Sequence, residues 1–304
     1  MMRRALLIGG NWGLVHLGAY RQAGIEVVGL LGRREEPVAR LAREQGIPHA
    51  LTRFEEIAEL APDLVSLATP AISHGDWLAR LVDYPVICEK PLLGLTGSPA
   101  DWPARRHPVW VNYAFAFLDS ARLLAHTLST LGPVHRIKLA CHYRLPLTFT
   151  PAQWWLEVAS HPLSFLAHRL GEPRLIAVHS PHALSATLGG VPAALYCGPA
   201  EAPGLYQTLE LHTQGGLLRL AGHYRPGETW QYAPLTLDGR PLNDGEWCAE
   251  DCWLRANRRS LLAILQQLAQ PAPLPQALGR GLFNPAKAWP LDALIQAAYG
   301  TASQ

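Results

Sequence analysis

The chain has 304 residues, of which 49% are hydrophobic and 16% are charged, and its formal net charge at pH 7 is +2. This composition excludes a disordered chain, and the length is sufficient for two domains with a substantial core. The near-neutral charge gives no strong attraction to nucleic acid or to a membrane surface, so we expect neither as a partner.

The amino terminus combines Arg3 and Arg4 with a short apolar run from Ala5 to Gly10. This run is too short for a signal peptide, and no segment of the chain approaches the roughly 20 apolar residues that a membrane span requires. We therefore interpret the run as a buried first strand and expect a cytoplasmic protein.

The five cysteines are scattered, and only Cys248 and Cys252 are close together, at a spacing that fits neither a redox pair nor a zinc site. Nearby histidines, such as His179 and His182, have no acid or cysteine at ligand spacing. We expect reduced thiols and no metal.

Short apolar runs alternate with helical stretches over the first third of the chain. The apolar runs are Ala5–Ile8, Ile25–Leu31, Leu64–Ala68, Val86–Cys88 and, after a Pro-rich connector, Val109–Tyr113. Helical spacing is clearest in Trp12–Ala23 and Pro37–Gln45. This β-α-β rhythm predicts a doubly wound parallel sheet with helices on both faces, over residues 1–115.

The pattern changes in residues 116–304, where strand-like segments are flanked by helices. The clearest strands are Val134–His142, Leu205–Thr213 and Gly216–His223. Helical stretches include Pro151–Leu170 and Glu250–Leu268. This arrangement predicts an α+β domain built on a mostly antiparallel sheet.

A glycine-rich turn follows the first strand and opens the first helix, in the order Gly9, Gly10, Asn11, Trp12, Gly13. Glycines let the backbone approach a pyrophosphate, and a helix amino terminus supplies free N–H donors. The match to a dinucleotide fingerprint is imperfect because Ile8 occupies the first glycine position. A tight turn without a ligand is the alternative.

The second strand is followed by Arg33 and Arg34, and the acid that would bind a ribose 2′-hydroxyl is missing there. Arginine pairs well with a 2′-phosphate through charge and bidentate hydrogen bonds. We therefore expect NADP(H) rather than NAD(H) as the cofactor. A solvated arginine pair at a helix start is the alternative.

Lys90 follows the apolar run at Val86–Cys88, within Glu89-Lys90-Pro91. A lysine at the carboxyl end of a strand, beside a bound dinucleotide, can polarise a substrate oxygen. This combination indicates hydride-transfer chemistry.

Four motifs in this order resemble those of the Gfo/Idh/MocA oxidoreductase family. They are the glycine turn with His16, Ala68-Thr69-Pro70 with His74, Cys88-Glu89-Lys90-Pro91-Leu92, and Asn112-Tyr113. The resemblance implies a Rossmann domain followed by an open-faced, mostly antiparallel sheet domain. It also implies a cis peptide before Pro91 and a position for Glu89 and Lys90 at the nicotinamide end of the cofactor. The residues expected to bind the cofactor in this region are Thr69, Pro70, His74, Glu89 and Asn112.

The same resemblance implies a catalytic helix in the second domain, with an acid and a histidine four residues apart. Glu157 and His161 occupy these positions, and a spacing of four places both on one face of an α-helix. The chain departs from the family pattern, because Glu157 replaces an Asp and Ser164 replaces a second acid. A buried histidine in a structural helix is the alternative. We name Trp154, Trp155 and Ser164 as candidates for substrate contact.

These expectations combine into one function. We expect an NADP(H)-dependent oxidoreductase that acts on an alcohol or carbonyl carbon of a sugar- or cyclitol-like molecule. His161 would move the proton, Lys90 would stabilise the alkoxide and Glu157 would orient His161. The alternatives are an imine or tetrapyrrole reductase and a non-catalytic NADP(H)-binding sensor. We also expect a homodimer or homotetramer, because the open sheet face must be covered.

Overall fold

The structure is a computed structural model that describes residues 4–246, 251–270, 276 and 280–300. The chain divides into two compact units, Met1–Tyr113 with Asn257–Trp289, and Ala114–Ala256 with Pro290–Gln304. The first boundary lies close to the predicted one after residue 115. Residues 257–289, which we expected in the second domain, belong to the first unit instead. Helical periodicity reports a buried face but does not reveal which sheet buries it.

The first unit is built on a six-stranded, all-parallel sheet with the strand order β3-β2-β1-β4-β5-β6. This is the strand order of a Rossmann fold, so the predicted doubly wound sheet is confirmed. The strands are β1 (Arg4–Ile8), β2 (Glu26–Leu31), β3 (His49–Leu51), β4 (Leu64–Leu67), β5 (Val86–Glu89) and β6 (Val109–Asn112). Every residue of β4, β5 and β6 is buried, as expected for strands that are covered on both faces.

The helices of the first unit connect these strands. They are α1 (Gly13–Gln22), α2 (Glu35–Glu44), α3 (Glu56–Leu60) and α4 (His74–Arg80), with 3₁₀ turns at Ala71–Ser73 and Pro99–Asp101. The strand order reverses between β1 and β4. In open parallel sheets, ligands bind outside the carboxyl ends of the strands at this switch point.

The second unit is built on a nine-stranded sheet with the order β15-β14-β12-β11-β7-β10-β9-β8, with β13 paired to β12. All pairs are antiparallel except β7 with β10. The strands are β7 (Val134–Arg144), β8 (Pro173–Ser180), β9 (Ala183–Leu188), β10 (Val191–Pro199), β11 (Gly204–Thr213), β12 (Gly216–Tyr224), β13 (Gln231–Tyr232), β14 (Thr236–Leu237) and β15 (Arg240–Pro241).

The helical part of this unit contains a 3₁₀ turn at Ala114–Phe117, α5 (Asp119–Leu128), α6 (Pro151–Trp154), a π-helical segment at Trp155–Ala159 and α7 (Ser160–Leu170). Two further helices, α8 (Cys252–Ala269) and α9 (Pro285–Tyr299), are each divided between the two units. Within the described ranges, no helix is both long enough and apolar enough to span a bilayer.

The two faces of the second sheet differ in polarity. On one face, strand alternation buries a row of leucines that includes Leu139 and Leu209. On the opposite face, Glu210 lies between Lys138 (Nζ–Oε2 3.4 Å) and Arg219 (Nε–Oε1 3.7 Å). This face is therefore mixed in polarity and not uniformly apolar. The predicted homo-oligomer stays a prediction.

Candidate functional site

The glycine turn after β1 packs tightly against the neighbouring strand end. Gly9 has φ +98°, and a Cβ at this position would lie 2.4 Å from the carbonyl oxygen of Ala68. A Cβ on Gly10 would lie 2.5 Å from Leu41 Cδ2. Only glycine fits the first of these positions without strain, because its left-handed backbone and the fixed carbonyl both exclude a side chain. The turn is thus held at the switch point of the sheet.

The helix that follows this turn is suited to an anion. Asn11 and Trp12 are exposed, and α1 begins at Gly13. Its first turn contains no acidic residue, and no described side chain caps its amino terminus. The N–H groups of Leu14 and Val15 already donate to the carbonyls of Asn11 (3.2 Å) and Trp12 (3.0 Å). The suitability of this end for a phosphate therefore depends on the helix dipole and on the N–H groups that precede Leu14.

A cavity of about 200 Å³ opens between the glycine turn and α2. Its lining includes Gly10, Gly32, Arg33, Arg34 and Leu41. Both arginines are exposed, and neither guanidinium makes an ion pair with the part of the chain that the structure describes. A Cβ on Gly32 would lie 3.1 Å from Val38 Cβ, so an acidic side chain has little room directly after β2. The turn and this cavity together fit a dinucleotide.

A buried chain of polar side chains holds Glu89 at the end of β5. His16 contacts Ser66 Oγ through Nδ1 (2.7 Å) and Glu89 Oε1 through Nε2 (2.8 Å). Asn112 Nδ2 donates to Glu89 Oε1 (2.7 Å) and to Asn257 Oδ1 (3.0 Å). The hydroxyl of Tyr20 extends the chain to Ser66. Asn257 lies in α8, and the sequence analysis did not find it.

These contacts keep Glu89 ionised. Burial by itself raises the pKa of Glu89, but the hydrogen bonds from His16 and Asn112, with the nearby charges of His16 and Lys90, hold that pKa below its usual value. Asn112 Oδ1 is buried without a hydrogen-bond partner among the described residues. Contact of Glu89 and Asn112 with a cofactor therefore stays a prediction.

His74 points into the protein, and its predicted contact with the cofactor stays a prediction. Its ring is fully buried, with Nε2 2.7 Å from the carbonyl oxygen of Thr69. Nδ1 lies 2.9 Å from the carbonyl oxygen of Pro91 and 3.2 Å from that of Leu92. Both ring nitrogens thus face backbone groups, and the residue holds two segments together. The sequence position did not reveal that the ring turns inward.

Lys90, Thr69 and Pro70 lie at the carboxyl edge of the parallel sheet. Lys90 directly follows β5 and is partly exposed, although Glu89 and Pro91 on either side are buried. The Lys90–Pro91 peptide is cis, as the resemblance implied. Thr69 is partly exposed and Pro70 is exposed. Because the carboxyl ends of parallel strands meet at one edge, these residues and the glycine turn share that edge.

The predicted catalytic helix of the second unit contains a π turn. Helix α6 begins with a capping box between Thr150 and Gln153. Glu157 lies in the π-helical segment and is half-buried, and His161 is buried in the first turn of α7. A π turn closes over five residues instead of four, so the spacing of four no longer ensures a shared face. The predicted roles of both residues stay predictions.

Pro162 provides a physical reason for the π turn. It has no N–H to donate to the carbonyl of Val158, four residues earlier. Gln207 Nε2 donates to this carbonyl instead (3.4 Å), and Gln207 Oε1 accepts a bond from the Tyr232 hydroxyl (3.2 Å). The side chain of a neighbouring strand thus satisfies the backbone group that the proline leaves open.

Trp154, Trp155 and Ser164 are buried, and their contact with a substrate stays a prediction. Trp154 stacks on Tyr143 at 3.9 Å between ring centroids, and Trp155 is 0% exposed. Ser164 is buried, and its hydroxyl donates to the carbonyl of His161 (2.6 Å). The rings fill the core because they face the sheet, which the sequence does not specify.

A different tryptophan, Trp253, lies next to His161. The ring of Trp253 meets His161 edge to face, with 4.5 Å between centroids, and Trp230 lies 5.8 Å from Trp253. Asp251 accepts hydrogen bonds from the backbone N–H of both tryptophans (2.9 and 2.8 Å). No sequence signal pointed to this contact, because Trp253 is remote from His161 along the chain.

The structure adds two observations on cysteines and metals. Four cysteines, Cys88, Cys141, Cys197 and Cys252, are buried, whereas Cys248 lies outside the described residues. In the part of the chain that the structure describes, no three His, Cys, Asp or Glu side chains form a group suited to a metal ion.

Comparison with known proteins finds a family match within the first unit. Residues 3–102 match the Gfo/Idh/MocA model, described as an oxidoreductase family with an NAD-binding Rossmann fold. No curated protein matches the chain.

Several solved structures are similar in fold. They include an oxidoreductase domain protein from Kribbella flavida (TM-score 0.73, 17% identity, 100% of this chain and 98% of that chain). They also include the WlbA dehydrogenase from Bordetella pertussis in complex with NADH and UDP-GlcNAcA (0.72, 15%, 99% and 97%). A third is a 3-ketoreductase from Actinomadura kijaniata in complex with NADP (0.69, 17%, 99% and 97%). At these identities the likeness establishes the fold alone. The family match lies within residues 3–102, about a third of the chain, and identifies this N-terminal part as an NAD-binding Rossmann domain of the Gfo/Idh/MocA oxidoreductase type.

Proposed function

We propose that the protein is an NADP(H)-dependent oxidoreductase that acts on the alcohol or carbonyl carbon of a sugar- or cyclitol-like molecule. The observation that carries this proposal is the position of Lys90, which follows β5 at the sheet edge that also contains the glycine turn. The nicotinamide cofactor, when bound, accepts or supplies the hydride. Proton transfer and stabilisation of charge on the substrate oxygen are left to the side chains of this chain.

The preference for NADP(H) is supported by Arg33 and Arg34. Their charges line the cavity beside the glycine turn and are not neutralised by an ion pair within the described residues. Gly32 leaves no acid directly after β2, where a carboxylate would repel a 2′-phosphate. Similar solved structures contain NADP or NADH, so the preference depends on the residues of this chain.

Lys90 supplies the positive charge in this proposal. An ammonium group placed beside a substrate oxygen stabilises the alkoxide that develops as hydride leaves the carbon. Glu89, immediately before it, is fixed by His16 and Asn112. This arrangement fixes the backbone on one side of Lys90, so that less reorganisation is needed during the reaction.

His161 is the proposed proton carrier. In the oxidative direction it takes the proton of the substrate hydroxyl, and in the reductive direction it returns a proton to the alkoxide. Its support is the burial of the ring and its edge-to-face contact with Trp253. Glu157 is proposed to orient the imidazole.

Reduction of an imine carbon is the second candidate function. The aromatic surroundings of His161 favour it, because the buried Trp253 connects His161 to the partly exposed ring of Trp230, which suits a planar or apolar molecule. Ser164 also stands where a sugar-binding acid was expected from the resemblance.

Two measurements test these proposals. We expect cofactor fluorescence to show binding of both cofactors, with NADPH bound more tightly than NADH. A turnover panel of sugars, cyclitols and cyclic imines then separates the candidates, and we expect oxidation of a polyol or reduction of its ketone. Turnover of imines alone would replace the first candidate by the second, and the absence of binding by either cofactor would refute both.

A further inference from the structure

His74 connects the two segments of the first unit that carry candidate functional residues. Its Nε2 faces the carbonyl of Thr69 (2.7 Å), in the segment expected to border the cofactor. Its Nδ1 faces the carbonyls of Pro91 (2.9 Å) and Leu92 (3.2 Å), directly after Lys90. One imidazole therefore spans the gap between the end of β4 and the end of β5.

The number of protons on the imidazole determines how many of these carbonyls it can bind. Backbone carbonyls only accept hydrogen bonds, and a neutral imidazole has one N–H. A neutral His74 can therefore donate to a carbonyl of only one of the two segments. If the proton is on Nε2, the lone pair of Nδ1 faces the carbonyls of Pro91 and Leu92 and the Cys88 thiol (Sγ 3.4 Å), which is only a weak donor. The imidazolium, with two N–H groups, binds both segments at once.

The surroundings of His74 set two opposing influences on this proton. Burial is the larger and lowers the pKa of His74, while the three carbonyls and the charge of Glu89 favour the cation. The other titratable group in contact is the thiol of Cys88, with Sγ 3.4 Å from Nδ1. On α4 itself the nearest titratable residue is the exposed Asp76.

We propose that His74 is a positioning residue that takes up a proton when the nicotinamide cofactor binds and thereby fastens Thr69 to the Lys90–Leu92 segment. The inference depends on the proposed function, since it requires the cofactor at this sheet edge. The cofactor brings negative phosphates and contacts the segment at Thr69, so it stabilises the arrangement in which both hydrogen bonds are made. Binding and protonation are then linked, and each promotes the other.

The linkage has a definite sign. Below the pKa of His74 in the free protein, the ring is already charged and affinity does not depend on this proton. Between that pKa and the higher pKa of the complex, a proton is taken up on binding. In this interval the Kd for NADPH rises with pH, by up to about tenfold per pH unit for one proton.

Calorimetric titration of the full chain with NADPH tests the inference, in buffers of different ionisation enthalpy between pH 6 and 8. The variants are His74→Gln, which cannot titrate, and Ser73→Ala as the matched control. Ser73→Ala removes contacts within the same segment, to Thr69 Oγ1 and the carbonyl of Pro70 (both 2.8 Å), but none to residues 91–92. We expect proton uptake in the wild type and in Ser73→Ala, and a smaller uptake with a flatter pH dependence in His74→Gln. Protons that the 2′-phosphate of NADPH gains or loses on binding contribute equally in all three proteins, so the difference between the wild type and His74→Gln excludes them.

Each result has one consequence. If His74→Gln binds NADPH with the same proton uptake and pH dependence as the wild type, the inference is wrong while the proposed function stands. If the wild type binds neither NADPH nor NADH, the proposed function fails, and the inference with it. Should His74→Gln not fold, long-range ¹H–¹⁵N spectra of the wild type at pH 7 provide the second measurement. NADPH should then convert one further histidine to the doubly protonated form, and no conversion would overturn the inference.

Discussion

Lys90 is one of only three lysines in the chain, with Lys138 and Lys287, so its contribution can be isolated. Lys90→Met keeps most of the side-chain volume but removes the charge beside the proposed substrate oxygen. We expect kcat to fall by about 10²–10³-fold, the cost of losing one preorganised electrostatic contact, with little change in NADPH affinity. Lys138→Met, at an ion pair on the second sheet, is the matched control. Turnover within twofold of the wild type would remove Lys90 from the mechanism.

Arg33 and Arg34 are argued to select the 2′-phosphate. In the double variant Arg33→Ala/Arg34→Ala, the KM for NADPH should rise by about 10–100-fold, since hydrogen bonds to charged groups are lost. The KM for NADH should change little. Arg40→Ala is the control, because Arg40 is an exposed arginine of α2 that pairs with Glu44. An equal loss for both cofactors would show that the arginines do not distinguish them.

At the scale of elements, the turn between β1 and α1 depends on the conformation of Gly9. Gly9→Ala places a methyl group 2.4 Å from the carbonyl oxygen of Ala68 at a φ of +98°. We expect the free energy of unfolding to fall by roughly 1–3 kcal/mol in urea titrations. Gly18→Ala, at an exposed position of α1 with open space around it, should be neutral or stabilising. Similar effects of the two substitutions would contradict a tight turn.

The helical segment from Pro151 to Leu170 shows how far element prediction extends. Its helical tendency, and a disturbance at Pro162, could be inferred from residue types alone. The π turn could not, because it depends on Gln207 of β11 donating to the freed carbonyl of Val158. The presence of a helix can thus be predicted from nearby residues, whereas the hydrogen-bond pattern inside it also depends on a neighbouring strand.

At the scale of the whole molecule, the buried network around Glu89 links stability to pH. Glu89 has a lower pKa in the folded protein than the ordinary value of 4.5, so it contributes stability above that value. This contribution is lost as the pH falls below 4.5 through the folded pKa. Urea unfolding between pH 3 and 7 measures this contribution. The difference in the free energy of unfolding between wild type and Glu89→Gln should be constant above about pH 4.5 and should become smaller as the pH falls below that value. A pH-independent difference would show that the charge of Glu89 does not stabilise the fold.

We also propose that a second copy covers the exposed face of the second sheet. Ala140 lies in a row of small residues on this face, opposite Thr208, with Ala221 on the next strand. Small side chains allow another chain to approach closely, so Ala140→Arg should increase the monomer fraction. Sedimentation velocity at micromolar concentration measures this, with Arg122→Ala on α5 as the control. A wild type that is entirely monomeric would refute the proposal.

Residue types and their order along the chain were enough to predict the parallel strands and the glycine turn, and to name Lys90 and the arginines after β2 as candidates at the sheet edge. These features are local, because a continuous apolar run or a glycine next to a helix start carries its meaning within a few residues. Three features became visible only in the folded chain: the bond between Asn112 and Asn257 across 145 residues, the contact of Trp253 with His161, and the burial of Trp154 and Trp155. Such contacts depend on which elements pack together, and no spacing along the chain specifies the partner of a buried face.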